Sequence, residues 1–111
     1  MTEKRTLPAL TNLQFLVLGV LRQRDQPGRV VREALAGYGV RRSAPAFYQL
    51  MSRLESAGLV EGRYEQVVVG DQAVTERWYA ITTDGTRQWQ RAQTFYRDVG
   101  QIAARLRLSN A

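Results

Sequence analysis

The sequence predicts a mainly α domain carrying one small β-hairpin, an α+β arrangement in the order helix, helix, helix, hairpin, long helix. Three observations carry this. Apolar residues recur at helical spacing in four stretches; the period changes to two over residues 59–81, interrupted by Gly70-Asp71-Gln72; and cap residues stand at the edges of the helical stretches. At 111 residues the chain is long enough for one domain with a modest core and too short for two.

Residues 1–9 are polar and read as an arm, with Leu7 and Leu10 able to pack on a neighbour. Thr11 and Gln14 then have capping-box spacing, and Leu13, Leu16, Val17, Val20 and Leu21 give the first helix a broad apolar face. Residues 22–28, RQRDQPG, form a polar loop broken by Pro27-Gly28. From Arg29 onward Val30, Val31, Ala34 and Leu35 keep helical spacing until Gly37 and Gly39 end the second helix.

The third helix is the best marked. Ser43 can accept a backbone N–H that the first turn leaves unpaired, Pro45 fits a turn where no donor is missed, and Gly58 supplies a left-handed terminator. Phe47, Leu50, Met51 and Leu54 form one apolar stripe, while Tyr48, Gln49, Ser52 and Arg53 fall mostly on the other side, with Arg41 and Arg42 just ahead of the cap. Such a helix suits a DNA major groove; an ordinary amphipathic helix with a solvated outer face has the same pattern, and this stretch alone leaves both readings open.

The hairpin, residues 59–69 and 74–81, must lean on the helices, because two strands are marginal alone. Thr82 or Thr83 caps a last helix running to about Arg107, with Asp84 near its positive end. Roughly 25 residues make a rod of about 37 Å, longer than this core requires. Along it Trp89, Ala92, Tyr96, Val99, Ala103 and Leu106 have coiled-coil seam spacing, widened by Phe95 and Ile102, which predicts a self-association surface beyond any packing within the protomer. The order of elements is that of a winged helix-turn-helix. The expected division is an arm (1–9), a DNA-binding domain (10–81), a dimerisation helix (82–107) and a tail (108–111).

Composition narrows the function. A formal net charge of +6 favours an acidic partner. With no Cys and no His, thiolate catalysis, Ser-His-Asp chemistry, the usual structural zinc and disulfides are excluded; the carboxylates are scattered and no phosphate-cradling glycine loop is present, so neither an enzyme nor a metal or cofactor is expected. No apolar run approaches the roughly 18 residues of a membrane span, and the N-terminus has no secretory h-region, so the expected location is the cytoplasm.

Two blocks also resemble one family. Ser43, Tyr48, Arg53, Leu54, Glu55, Gly58, Leu59 and Val60 stand at the spacing of the recognition-helix region of PadR-like transcriptional regulators, and Arg77-Trp78-Tyr79-Ala80-Ile81-Thr82 with Gly85 is similar to the strand and helix start of the same family. The resemblance spans about residues 10 to 107. It departs at residues 26–31, which keep only a glycine of the family's second-helix start, at Gln49, where a proline is common, and at Val67, Val68 and Val69, which replace a more basic or glycine-rich wing tip.

The resemblance implies a homodimeric repressor on a pseudo-palindromic operator in double-stranded DNA. Arg41 and Arg42, with the first-turn N–H groups, are then expected at phosphates, Gln49, Ser52 and Arg53 at base edges, and Ser43 among the DNA-binding residues. Tyr48 is placed either on DNA or against the wing base, and Arg63 and Arg77 either on the DNA backbone or in solvent. Trp89, Ala92, Phe95, Tyr96, Val99, Ile102, Ala103 and Leu106 are the expected dimer interface. The family also implies a small-molecule effector, for which Trp89, Phe95 and Tyr96 are candidate pocket residues, although buried aromatics on such a seam are more often core. A winged-helix protein–protein adaptor is the alternative function.

Overall fold

The computed structural model describes residues 6–109, with side chains for residues 6–107. Its elements are α1 (Asn12–Leu21), β1 (Gln26–Pro27), α2 (Gly28–Gly37), α3 (Ala44–Ser56), β2 (Val60–Val69), β3 (Gln72–Ile81) and α4 (Thr83–Ser109). This is a mainly helical winged helix-turn-helix with a small antiparallel sheet and a long C-terminal helix. Of the expected arm, residues 1–5 lie outside the described residues, as do 110 and 111 of the expected tail; the backbone of 108 and 109 continues α4.

Local chemistry sets the helix starts. At α1 the capping box closes in both directions: the Gln14 N–H donates to Thr11 Oγ1 at 3.1 Å and the Thr11 N–H to Gln14 Oε1 at 3.0 Å. Ser43 Oγ accepts the Ala46 N–H at 3.3 Å to open α3. Of the two candidate threonines Thr82 caps α4, accepting the Gly85 N–H at 2.9 Å and donating its own proton to the Gly58 carbonyl at 2.7 Å. The spacing Thr82-x-x-Gly85 acquires a physical reason here. A Cβ on Gly85 would overlap the Leu59 carbonyl oxygen, so only glycine lets α4 start against the chain entering β2.

The loop between α1 and α2 differs from expectation. Gln26 and Pro27 form a two-residue strand paired with Tyr79 and Trp78, giving a three-stranded sheet of order β1-β3-β2 rather than a lone hairpin. Pro27 is tolerated because β1 is an edge. The α2 helix consequently starts one residue earlier than expected, at Gly28, with Pro27 as its N-cap and no side-chain cap bond.

The core gathers Val17, Leu18 and Leu21 of α1, Val31 and Leu35 of α2, Phe47, Met51 and Leu54 of α3, Val60 and Tyr79 of the sheet, and Trp89 and Ala92 of α4. Tyr79 is the largest fully buried side chain and meets Phe47 edge-on at 6.5 Å. The radius of gyration, 17.5 Å, exceeds the roughly 13 Å of a compact domain of this length because α4 projects beyond the body. Among the described residues no helix is long and apolar enough to cross a membrane.

Candidate nucleic-acid interface

The α3 helix is anchored on one side and bare on the other. Phe47, Met51 and Leu54 are fully buried, whereas Tyr48, Gln49, Ser52, Arg53 and Ser56 are exposed. At 100° per residue Gln49, Ser52, Arg53 and Ser56 lie opposite the buried stripe. Ser56 belongs to this face and was not among the expected residues; the same angular count places it there. Tyr48 sits at the margin, 49% exposed, its ring edge-on to Phe47 at 5.6 Å. It is therefore supported from below and still open to solvent.

At the entry to α3, Arg41 and Arg42 are exposed and form no ion pair among the described residues. They border a shallow depression of about 340 Å³ whose rim also holds Arg29 and Arg32 of α2. Arg32 donates through Nη2 to the Arg42 carbonyl at 3.1 Å, and its guanidinium lies 5.8 Å over the Phe47 ring. Residues 29 and 32 share the face of α2 turned away from buried Val31 and Leu35, a periodicity that could have singled them out. The first turn of α3 offers less than expected: Pro45 has no N–H and the Ala46 N–H is taken by Ser43, leaving only the Ala44 N–H for an anion. The Ser43 hydroxyl proton remains available as a donor.

The hairpin arginines are in the opposite condition. Arg63 Nη1 reaches Asp25 Oδ2 and its Nε reaches Glu65 Oε1, both at 2.7 Å, and these hydrogen bonds raise its pKa. Arg77 Nη2 donates to both Glu55 oxygens, at 3.0 and 3.2 Å, with its guanidinium 4.6 Å over the Tyr64 ring. Burial works against the Arg77 charge, but the Glu55 hydrogen bond and charge outweigh it, so its pKa too is raised. Neither residue is the isolated strand charge pictured from the sequence. Between Arg63 and Arg77 the chain has no Lys or Arg, while it has Glu65, Asp71 and Glu76. The tip is apolar: Val68 is 77% and Val69 62% exposed.

Residues 17–91 match the Transcriptional regulator PadR-like family. The chain belongs to that family. It is a PadR-like, winged helix-turn-helix, DNA-binding transcriptional regulator and not an enzyme. Its fold is similar to that of a PadR family transcriptional regulator from Eggerthella lenta DSM 2243 (29% identity, 85% of this chain and 80% of that one, TM-score 0.60). It is also similar to a PadR family transcription regulator from Clostridium difficile R20291 (14% identity, 86% and 98%, TM-score 0.71). A third similar structure is Bacillus subtilis PadR in complex with operator DNA (17% identity, 72% and 45%, TM-score 0.56). No curated protein matches the chain.

In this PadR-like chain the expected α4 seam divides into two faces. Trp89 and Ala92 are buried in the protomer's own core: Trp89 stacks on Phe15 at 5.4 Å, lies under the Arg22 guanidinium at 4.4 Å and packs on Gly19, where a Cβ would sit 3.1 Å from its Nε1. Tyr96 extends this contact, donating its hydroxyl to Asn12 Oδ1 at 3.1 Å. These three residues thus face α1, and Trp89 and Ala92 are withdrawn from the expected interface. The remaining apolar positions, Phe95, Val99, Ile102 and Leu106, are spaced 4, 3 and 4 apart; the last three are 45%, 44% and 60% exposed. Phe95, Val99 and Ile102 line a groove of about 760 Å³ closed on its other side by Leu7, Pro8 and Ala9. Ala103 is exposed beside that stripe. Trp89, Phe95 and Tyr96 consequently do not line one pocket: Trp89 is under Arg22, and of the three only Phe95 borders the groove.

Proposed function

We propose that this chain is a sequence-specific repressor that binds a pseudo-palindromic operator as a homodimer. The observation that carries the reading is the split character of α3: one side fixed in the core by Phe47, Met51 and Leu54, the other presenting Gln49, Ser52 and Arg53 with no ion-pair partner among the described residues. A helix held this way keeps its hydrogen-bonding groups in a fixed array, as readout of base edges requires. Arg41 and Arg42, with Arg32 beside them, supply the phosphate contacts that set register. Tyr48 reaches a phosphate or a thymine methyl from the margin of the helix.

The second protomer docks along Phe95, Val99, Ile102, Ala103 and Leu106, covering apolar surface that the protomer leaves open. Pairing two readers about one DNA turn apart, near 34 Å, multiplies a weak single-domain affinity. The similar Bacillus subtilis PadR is bound to operator DNA, and an operator duplex is the target proposed for this chain too. A small-molecule effector in the groove between residues 6–9 and α4 would compete with the second protomer for Phe95, Val99 and Ile102. The valine-rich, cation-free wing tip favours one second reading, a winged helix serving as a protein–protein adaptor.

Selection of bound duplexes from random DNA, followed by sedimentation of the complex, tests the proposal. The expected result is an inverted repeat bound by two protomers. Recovery of no common sequence, or a lone protomer on DNA, would favour the adaptor.

A further inference from the structure

The α3 helix meets the hairpin through a short connection, Ala57, Gly58 and Leu59, in which Gly58 has φ +77°. The turn is closed by the Leu59 N–H donating to the Leu54 carbonyl at 3.0 Å and is tied to the start of α4 by Thr82, but these bonds are made by backbone groups of the connection and none joins the side chains of α3 to the strands. A second link crosses the same junction. Glu55, in the last turn of α3, receives Arg77 Nη2 on both carboxylate oxygens, 22 residues away in sequence. The guanidinium is held by aromatic rings, 4.6 Å from the Tyr64 centroid and 5.8 Å from that of Tyr79. The strand below is hollowed for it: a Cβ on Gly62 would overlap atoms of both Glu55 and Arg77. The pair is partly shielded, with side chains 24% and 30% exposed.

From this geometry we infer that Arg77 and Glu55 form a latch that fixes the angle between the reading helix and the wing, making both positioning residues for DNA discrimination. The inference rests on the DNA-reading role proposed above and deepens it. A 13-residue helix is about 20 Å long, so swinging it about 10° around its exit end displaces the entry end by about 3.5 Å. That is far outside the few tenths of an ångström over which a hydrogen bond to a base edge stays well formed. At the entry end Arg32 grips the Arg42 carbonyl, so an arginine from a neighbouring element restrains α3 at each end. Loss of the latch leaves the reading side chains present but misaimed. Specific binding then falls while phosphate binding persists.

The test uses the full chain carrying Arg77→Met, Glu55→Gln or both, with a selected duplex and a random duplex of equal length. Arg77→Met keeps the stem against Tyr64, and Glu55→Gln keeps shape and one acceptor, so both fold; circular dichroism and thermal melting verify this. Arg77→Met should lower the ratio of specific to random affinity about tenfold and Glu55→Gln about threefold, with the double variant no worse than Arg77→Met, as expected of one shared interaction. The salt slope on random DNA should not move. An unchanged ratio in both single variants overturns the inference. So does a flatter slope in Arg77→Met alone, which would make Arg77 a phosphate contact. If the wild-type chain prefers no sequence, the DNA reading fails separately, and the latch is decided in the free protein. Faster amide exchange at Gly58 and Leu59 in Glu55→Gln supports it, and unchanged exchange overturns it.

Discussion

The arginines ahead of α3 and those on the hairpin are the same chemical group in opposite circumstances. Arg41 and Arg42 are exposed and have no carboxylate partner among the described residues, whereas Arg63 is bound to Asp25 and to Glu65 of its own strand, and Arg77 to Glu55 of α3. A basic sequence therefore does not make a uniformly basic surface. Arg41 and Arg42 put open charge at the entry to α3, where Arg29 is already paired with Glu76 of the hairpin, and the hairpin, whose stretch between Arg63 and Arg77 holds acids and no cation, shapes the molecule instead.

The harshest way to break the contrast is to remove the support both regions share. Phe47 lies beneath Arg32 and Tyr48 and against Tyr79, so Phe47→Ala should destabilise the fold by about 3–5 kcal/mol in denaturant titration. Next is the reading face: Arg53→Ala should cost about 1–3 kcal/mol per half-site and relax preference at one position, seen by binding to duplexes varied base by base. Gly62→Ala should disturb the hairpin side and its link to α3. Its added methyl meets only the flexible ends of Glu55 and Arg77 and displaces that partly exposed pair, costing at most about 1 kcal/mol of stability by thermal melting.

A subtler effect sharpens the comparison through pH. Burial raises the Tyr79 phenol's pKa, an effect partly opposed by Arg77. The folded chain then keeps this proton where the unfolded chain, with a phenol pKa of about 10, has lost it. The stability tied to the phenol is intact below about pH 10 and is lost as pH rises through the folded-state value. Tyr79→Phe should flatten the alkaline limb of a stability–pH curve and leave the neutral region in place.

What could be read from the residues follows a physical divide. The Thr11–Gln14 box, the Ser43 cap, the Gly58 stop and the hairpin turn at Gly70 are local rules, acting over two to four residues, and the structure shows each. The two-residue strand at Gln26 and Pro27 exists only because β3 offers it an edge some 50 residues later. Arg77 acquires its partner 22 residues back, so a count of strand charges gave it no acid. The α4 stripe was visible as a period, but which part of it α1 would cover depended on Phe15 and Gly19, residues at the opposite end of the chain.

The most direct test of the contrast between the two arginine pairs is the salt dependence of DNA affinity in the wild-type chain, Arg42→Ala and Arg63→Ala. Each phosphate contact contributes about 0.9 to the slope of log affinity against log salt. Arg42→Ala should flatten the line by about that amount for every protomer bound, and Arg63→Ala should run parallel to wild type. A line flattened by Arg63→Ala and untouched by Arg42→Ala would contradict this division of roles.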